Sequence, residues 1–191
     1  MPHSKRQFIE FRNVVPLLPL ELERCEEIAN MRIKANAKYK LTNRTHLQGD
    51  QLTIDMNAAK GEYACCKLWG VDYKQLLTDG GGHADSDLIL SNGWSVEVKT
   101  PTRRGYMLSF EQGKTATDVK ADVLALVWPT AAADCMDVRG VVSRARFIKE
   151  AKLRTFRDGP QLSFEHERMS PPLSMKLPYN VWPTANAPAV D

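Results

Sequence analysis

The clearest structural signal in the chain is DLILSNGWSVEVKT, residues 87–100, in which two apolar segments of strand length flank a turn. The turn is Ser91-Asn92-Gly93, and its sequence is compatible with two β-hairpins. In a two-residue Asn92-Gly93 loop, Asp87 lies opposite Val98 and points away from Glu97. In a three-residue loop that ends on a left-handed Gly93, Asp87 lies opposite Glu97.

The alternation of apolar and polar residues favours the three-residue loop. That register pairs Leu88 with Val96 and Leu90 with Trp94, so the apolar side chains share one face. A one-residue slip would mix the two faces. The opposite face then carries two carboxylates and an amine: Asp87, Glu97 and Lys99.

The segments around this hairpin predict a mixed α/β (α+β) fold, a central β-sheet flanked by helices. Helical spacing and caps predict helices at residues 20–38, 56–69 and 144–154. Apolar segments predict further strands at residues 8–15, 106–110, 123–128 and 136–142. The segment 123–128 is continuously apolar, as expected of a central strand that is covered on both faces.

Composition divides the chain into three regions. Residues 1–54 are expected to form a helical or irregular N-terminal layer, and residues 55–157 the core. Residues 158–191 are expected to be a tail on the core or on a partner, because five of the eleven prolines lie in the last 21 residues. Such a segment favours extended chain over another packed element.

The overall composition sets several classes aside. The 191 residues are 43% hydrophobic and 26% charged, and the net charge of +3 is too small for a globally basic protein. No apolar run approaches a membrane span, and the N-terminus lacks the apolar region of a secretory signal. We therefore expect a cytoplasmic protein without a membrane partner, whose four cysteines are reduced thiols.

Two carboxylates on neighbouring strands repel each other, so the favoured register needs a raised pKa, an adjacent cation or a bound metal ion. Lys99 lies on the same face as Glu97 and supplies part of the compensation. A pair of carboxylates is also a natural site for Mg²⁺. Asp85 would point to the same face of the strand as Asp87, because the two are two residues apart. Only Asp87, however, lies opposite Glu97 in this register.

Asp87 followed by Glu97-Val98-Lys99 at the end of the next strand resembles the PD-(D/E)XK nuclease superfamily, especially its phage-type members. Gly61-Glu62-Tyr63-Ala64 matches the glutamate that this family carries on a preceding helix. The resemblance covers roughly residues 56–150 and implies a restriction-endonuclease-like αβββαβ core. One departure is Ser86, which stands where the family usually has proline.

The resemblance implies a Mg²⁺-dependent deoxyribonuclease, with Mn²⁺ as a substitute for Mg²⁺. Asp87 and Glu97 would be the carboxylate ligands, and the main-chain carbonyl of Val98 would complete the site. Lys99 would position the attacking water and stabilise developing charge. Glu62 would hold a second metal ion or a water bound to the first.

Basic residues predict where DNA would bind. Arg103 and Arg104 directly follow the Glu-x-Lys strand, and Lys114 follows the next predicted strand. Residues 139–157 hold seven positive residues against one negative, and Arg144 and Arg146 are the candidates there.

Other interpretations stay open. They are a non-catalytic nucleic-acid-binding or assembly module on the same fold, and a small-molecule enzyme that uses the same acidic pair. The sequence leaves the choice between endonuclease and exonuclease open, and also whether the chain forms a homo-oligomer. For a phage-encoded protein, the cytoplasm would be that of the host.

Overall fold

A computed structural model describes residues 13–38, 51–77, 86–101, 108–110, 118–156 and 159–172. Its strands form two sheets, one of five strands and one of three. In chain order the strands are β1 Asn13–Pro16, β2 Leu88–Ile89, β3 Ser95–Lys99, β4 Leu108–Phe110, β5 Val123–Pro129, β6 Cys135–Ser143, β7 Lys152–Phe156 and β8 Gly159–Phe164.

Three α-helices are present in the described residues: α1 Pro19–Lys38, α2 Gln51–Trp69 and α3 Arg144–Glu150. The prediction for α1 is confirmed. Helix α2 begins earlier than predicted but ends as predicted, before Gly70, whose φ of +71° makes it the left-handed residue after the helix. None of these helices is long and apolar enough to cross a membrane.

The predicted extent of α3 is wrong at its C-terminal end. Ser143 caps the helix as predicted, because its side chain accepts a hydrogen bond from the Arg146 N–H. The backbone becomes extended at Ala151, and Lys152 begins β7 instead of continuing the helix. Ile148, predicted to face inward, is 40% exposed, whereas Phe147 is fully buried.

The five-stranded sheet has the order β1-β6-β5-β3-β2. Strands β3 and β5 are parallel and every other neighbouring pair is antiparallel. This arrangement confirms the predicted mixed sheet flanked by helices. It also makes β5 a central strand, which explains its continuously apolar sequence.

Each face of the sheet covers its own apolar core. Alternate residues of β5 point to opposite faces. Val123, Ala125 and Val127 join α1 and α2 in the first core. Leu124, Leu126 and Trp128 belong to the second core, together with Phe147 of α3 and Phe164 of β8.

The hairpin adopts the predicted three-residue loop. Leu88 pairs with Val96, and the Leu90 N–H donates to the Trp94 carbonyl oxygen at 2.9 Å. Gly93 has a φ of +84°, the left-handed conformation that this loop requires.

Regular pairing ends at Leu88, so the prediction that Asp87 pairs directly with Glu97 is wrong. The Asp87 N–H donates to the Val96 carbonyl oxygen instead. Its carboxylate turns back to accept the N–H of Val98. Asp87 therefore approaches β3 through its side chain instead of continuing the ladder.

The strand predicted at residues 106–110 is observed as β4. It belongs to the three-stranded sheet and not to the central sheet, where it was expected. Strand β4 pairs with β8, and β8 pairs with β7. The physical reason is that β2 and β5 occupy both edges of β3, so β4 has no place beside it. Within the described residues, the three consecutive strands expected of an αβββαβ core therefore do not share one sheet.

The predicted boundary between residues 54 and 55 falls within α2. The predicted boundary between residues 157 and 158 lies outside the described residues, and the strands before and after it, β7 and β8, pair with each other. Beyond β8, Ser170 exchanges backbone hydrogen bonds with Val141, and the Trp69 indole N–H donates to the Pro172 carbonyl oxygen. The first part of the predicted tail is thus packed on the core.

All four cysteines are free thiols, as predicted. Cys25, Cys65 and Cys66 are buried in the first core. Burial raises the pKa of Cys25 and Cys66 to about 12 and also raises the pKa of Cys65. They therefore act as small apolar side chains.

Gly61 brings α2 into close contact with the end of β3. A Cβ atom at this position would lie 2.0 Å from Oγ1 of Thr100 and 3.2 Å from its Cβ. A glycine is therefore needed where the helix meets the strand. Because Glu62 follows Gly61 and Lys99 precedes Thr100, this contact also sets the spacing between two candidate site residues.

We expect Gly61→Ala to lower the free energy of unfolding by about 1–3 kcal/mol, because overpacking outweighs the better helix propensity of alanine. Urea unfolding measures the change. The double variant Gly61→Ala/Thr100→Ala relieves the clash and should recover at least half of the loss. Equal stability of Gly61→Ala and wild type would contradict the close contact.

Candidate metal centre

Strand β2, which directly follows Asp87, lies between β3 and a short 3₁₀ helix, Tyr73–Leu77. Oδ2 of Asp87 accepts the Val98 N–H at 2.7 Å. Gln75 in the 3₁₀ helix pairs with the outer edge of β2, donating from Nε2 to the Ile89 carbonyl oxygen at 3.1 Å and accepting the Ile89 N–H at 2.8 Å. The Gln75 amide thus satisfies the N–H and carbonyl groups of Ile89 on the outer edge of β2. It also fixes the backbone at this position, two residues from Asp87.

The environment of Asp87 disfavours its charged form. Burial raises its pKa to about 8, and the nearby carboxylates of Glu62 and Glu97 contribute to the rise. The Val98 hydrogen bond and the charge of Lys99 oppose that shift. Burial next to two other carboxylates is costly unless a cation is present.

Glu97 and Lys99 form an ion pair on β3. They are two residues apart and share a face of the strand, and Lys99 Nζ lies 2.5 Å from Glu97 Oε1. Their side chains are 25% and 33% exposed, so solvent reaches the pair. In the parallel register they lie beside Leu124 and Leu126, on the side of the second core.

Glu62 lies in the middle of α2 and is 4% exposed. Both of its oxygens accept hydrogen bonds from Arg32 of α1, at 2.9 Å from Nη1 and 2.5 Å from Nη2. The predicted site did not include Arg32. Its position on the apolar stripe of α1, four residues after Ile28, was the available signal, because a cation on a buried face needs a partner.

The structure brings the four predicted catalytic residues into one region. The carboxylates of Glu62 and Glu97 lie close enough to Asp87 to raise its pKa, and Lys99 is close enough to lower it. Within the described residues, however, no three Asp, Glu, His or Cys side chains form a group that could hold a metal ion. Glu62 is held by Arg32 and does not converge with the other two carboxylates.

The remaining oxygen donors fit Mg²⁺. Two carboxylates and one main-chain carbonyl, those of Asp87, Glu97 and Val98, are hard ligands, and Mg²⁺ keeps several waters beside one or two carboxylates. No described hydrogen bond engages Oδ1 of Asp87. A divalent cation would also relieve the repulsion that raises the pKa of Asp87.

Of the five predicted DNA-binding residues, two lie within the part of the chain that the structure describes. Arg103, Arg104 and Lys114 lie outside the described residues. Arg146 pairs with Glu150 on its own helix at 3.3 Å. Arg144 begins α3 and is half-buried.

Helix α3 begins at the end of β3 opposite to Lys99. The Arg144 N–H donates to the Asp122 carbonyl oxygen, and the Asp122 carboxylate accepts the N–H of Ser95. Four residues of strand separate Ser95 from Lys99, roughly 13 Å. Arg144 and Arg146 are therefore not brought beside the candidate centre.

No protein-family model matches the chain, and neither a curated protein nor a solved structure matches it. Support for a metal centre therefore comes from Asp87, Glu97, Lys99 and their neighbours alone.

The raised pKa of Asp87 predicts an unusual dependence of stability on pH. The folded protein keeps the proton up to about pH 8, whereas the unfolded chain loses it near the ordinary value of 3.8. Between these values the folded state binds more protons, so this residue makes the fold less stable as pH rises.

We expect Asp87→Asn to raise the free energy of unfolding at about pH 8 by at least about 1 kcal/mol, because asparagine still accepts the Val98 N–H but carries no charge. The gain should shrink towards about pH 5. Urea unfolding in metal-free buffer measures it, with the exposed Asp134→Asn as the matched control. A variant no more stable than wild type at the higher pH would contradict the assignment.

Proposed function

We propose that this protein is a Mg²⁺-dependent nuclease that hydrolyses DNA phosphodiester bonds. The observation that carries the proposal is the desolvated carboxylate of Asp87 beside the Glu97–Lys99 ion pair. Carboxylates that repel each other next to an amine are unfavourable for stability alone. They are suited to binding a cation and acting on a phosphate.

The chain would supply three oxygen donors and one amine to this reaction. Asp87, Glu97 and the Val98 carbonyl would hold Mg²⁺, which when bound supplies Lewis acidity and stabilises charge on the phosphoryl oxygens. Glu97 holds the Lys99 amine next to these donors. From there Lys99 would orient the attacking water by hydrogen bonding and stabilise negative charge in the transition state.

Positioning of these groups depends on main-chain contacts. The Val98 N–H orients the Asp87 carboxylate, and Gln75 fixes β2, the strand that begins at the next residue. Such support reduces the rearrangement needed when substrate binds. Arg103 and Arg104, which follow β3 in the sequence, remain our candidates for contacts with the DNA backbone.

The proposal predicts cleavage of DNA by the purified protein in Mg²⁺ or Mn²⁺, measured on supercoiled, nicked and linear substrates. We expect Lys99→Ala to lower the cleavage rate by about 100-fold or more, because it removes the group that orients water. Lys149→Ala is the matched control. Lys149 is exposed on α3, so its replacement should leave the rate unchanged.

Two results would contradict the nuclease proposal. One is full activity of Lys99→Ala. The other is an absence of cleavage by wild type on every substrate; DNA binding without cleavage would then favour the non-catalytic module.

A further inference from the structure

The Arg32–Glu62 pair lies within the group of charges around Asp87. The Arg32 side chain is 14% exposed and the Glu62 side chain 5%, so both charges are largely removed from water. Burial alone would lower the pKa of Arg32. The hydrogen bonds and charge of Glu62, with the charges of Asp87 and Asp55, raise it, so the guanidinium stays charged.

We infer that the Arg32 guanidinium stands in the place of a second metal ion, so that the centre binds one divalent cation on Asp87 and Glu97 and Glu62 is not a ligand. This inference rests on the proposed function. It assigns Arg32 as a positioning residue, which acts on the site through Glu62.

The hydrogen-bond geometry supports a single cation. Each oxygen of Glu62 accepts a separate N–H from Arg32, in the bidentate arrangement that matches a carboxylate to a guanidinium. Arg32 occupies the side on which both Glu62 oxygens face it, so a cation that approached from that side would displace the guanidinium. The displaced guanidinium would then be a buried charge without its partner, which is strongly unfavourable.

The charges also favour one cation. Glu62, Asp87 and Glu97 carry three negative charges when ionised, and Arg32 and Lys99 carry two positive charges. One divalent cation and one phosphodiester group bring this set to neutrality. A second divalent cation would leave an excess of two positive charges in a partly buried site, where charge interactions are strong.

Counting bound Mn²⁺ tests the inference without measuring catalysis. Electron paramagnetic resonance of unbound Mn²⁺ gives the number of ions per chain at about pH 8. We expect one ion for wild type and one for Arg32→Lys, which keeps the charge. Arg32→Met releases Glu62, and we expect it to bind one ion more than wild type.

A second variant covers the case in which Arg32→Met does not fold. Arg32→Met/Glu62→Gln replaces the buried ion pair by two neutral side chains of similar size, a change that folded proteins tolerate better. If neither residue contacts the cation, this variant binds one Mn²⁺ with an affinity within about threefold of wild type. A loss of more than tenfold would make Glu62 a ligand and overturn the inference.

The two proposals fail in different ways. If wild type binds no Mn²⁺, the nuclease proposal fails, and the inference, which rests on it, fails with it. If wild type binds two ions, or if folded Arg32→Met gains none, the inference is wrong and the nuclease proposal stands on its cleavage assay.

Discussion

The carboxylates of Glu62 and Glu97 each lie close enough to Asp87 to raise its pKa, and each of the three groups needs a compensating charge or proton. Arg32 compensates Glu62 by a bidentate ion pair and Lys99 compensates Glu97. Within the described residues no ion pair engages Asp87, and its burial, together with the charges of the two neighbouring carboxylates, raises its pKa. Lys99 lies on the same strand as Glu97, whereas Arg32 is brought to Glu62 by a different helix.

Delivery of these side chains depends on close packing between elements. Helix α2 approaches the end of β3 where Gly61 meets Thr100. No side chain larger than the hydrogen atom of glycine fits at residue 61. Helix α1 packs against α2 and carries Arg32 to Glu62. Gln75 satisfies the outer edge of β2 and holds the backbone next to Asp87. The candidate centre is therefore built where three helical segments meet one hairpin.

The basic region at residues 139–157 illustrates a limit of charge counting. Arg139 is buried against Asp137, and Arg146 and Arg154 pair with Glu150 and Glu165. The first pair lies within β6, the second within α3, and the third joins β7 to the residue after β8. A charge count over residues 139–157 includes only one of these acidic partners, Glu150, because Asp137 and Glu165 lie outside this segment. A segment with an excess of positive charge in the sequence can thus be largely ion-paired in the folded protein.

The sequence by itself determined the hairpin register, the mixed sheet and the sets of residues that share a face. These follow from local rules: Gly93 must be left-handed, and alternating apolar residues must point to one side. Only the tertiary structure decided that Asp87 leaves the ladder, that β4 joins β8, and that Arg32 holds Glu62. Each of these depends on contacts between residues distant in sequence, and no local pattern specifies which distant partner satisfies a hydrogen bond, a strand edge or a buried charge.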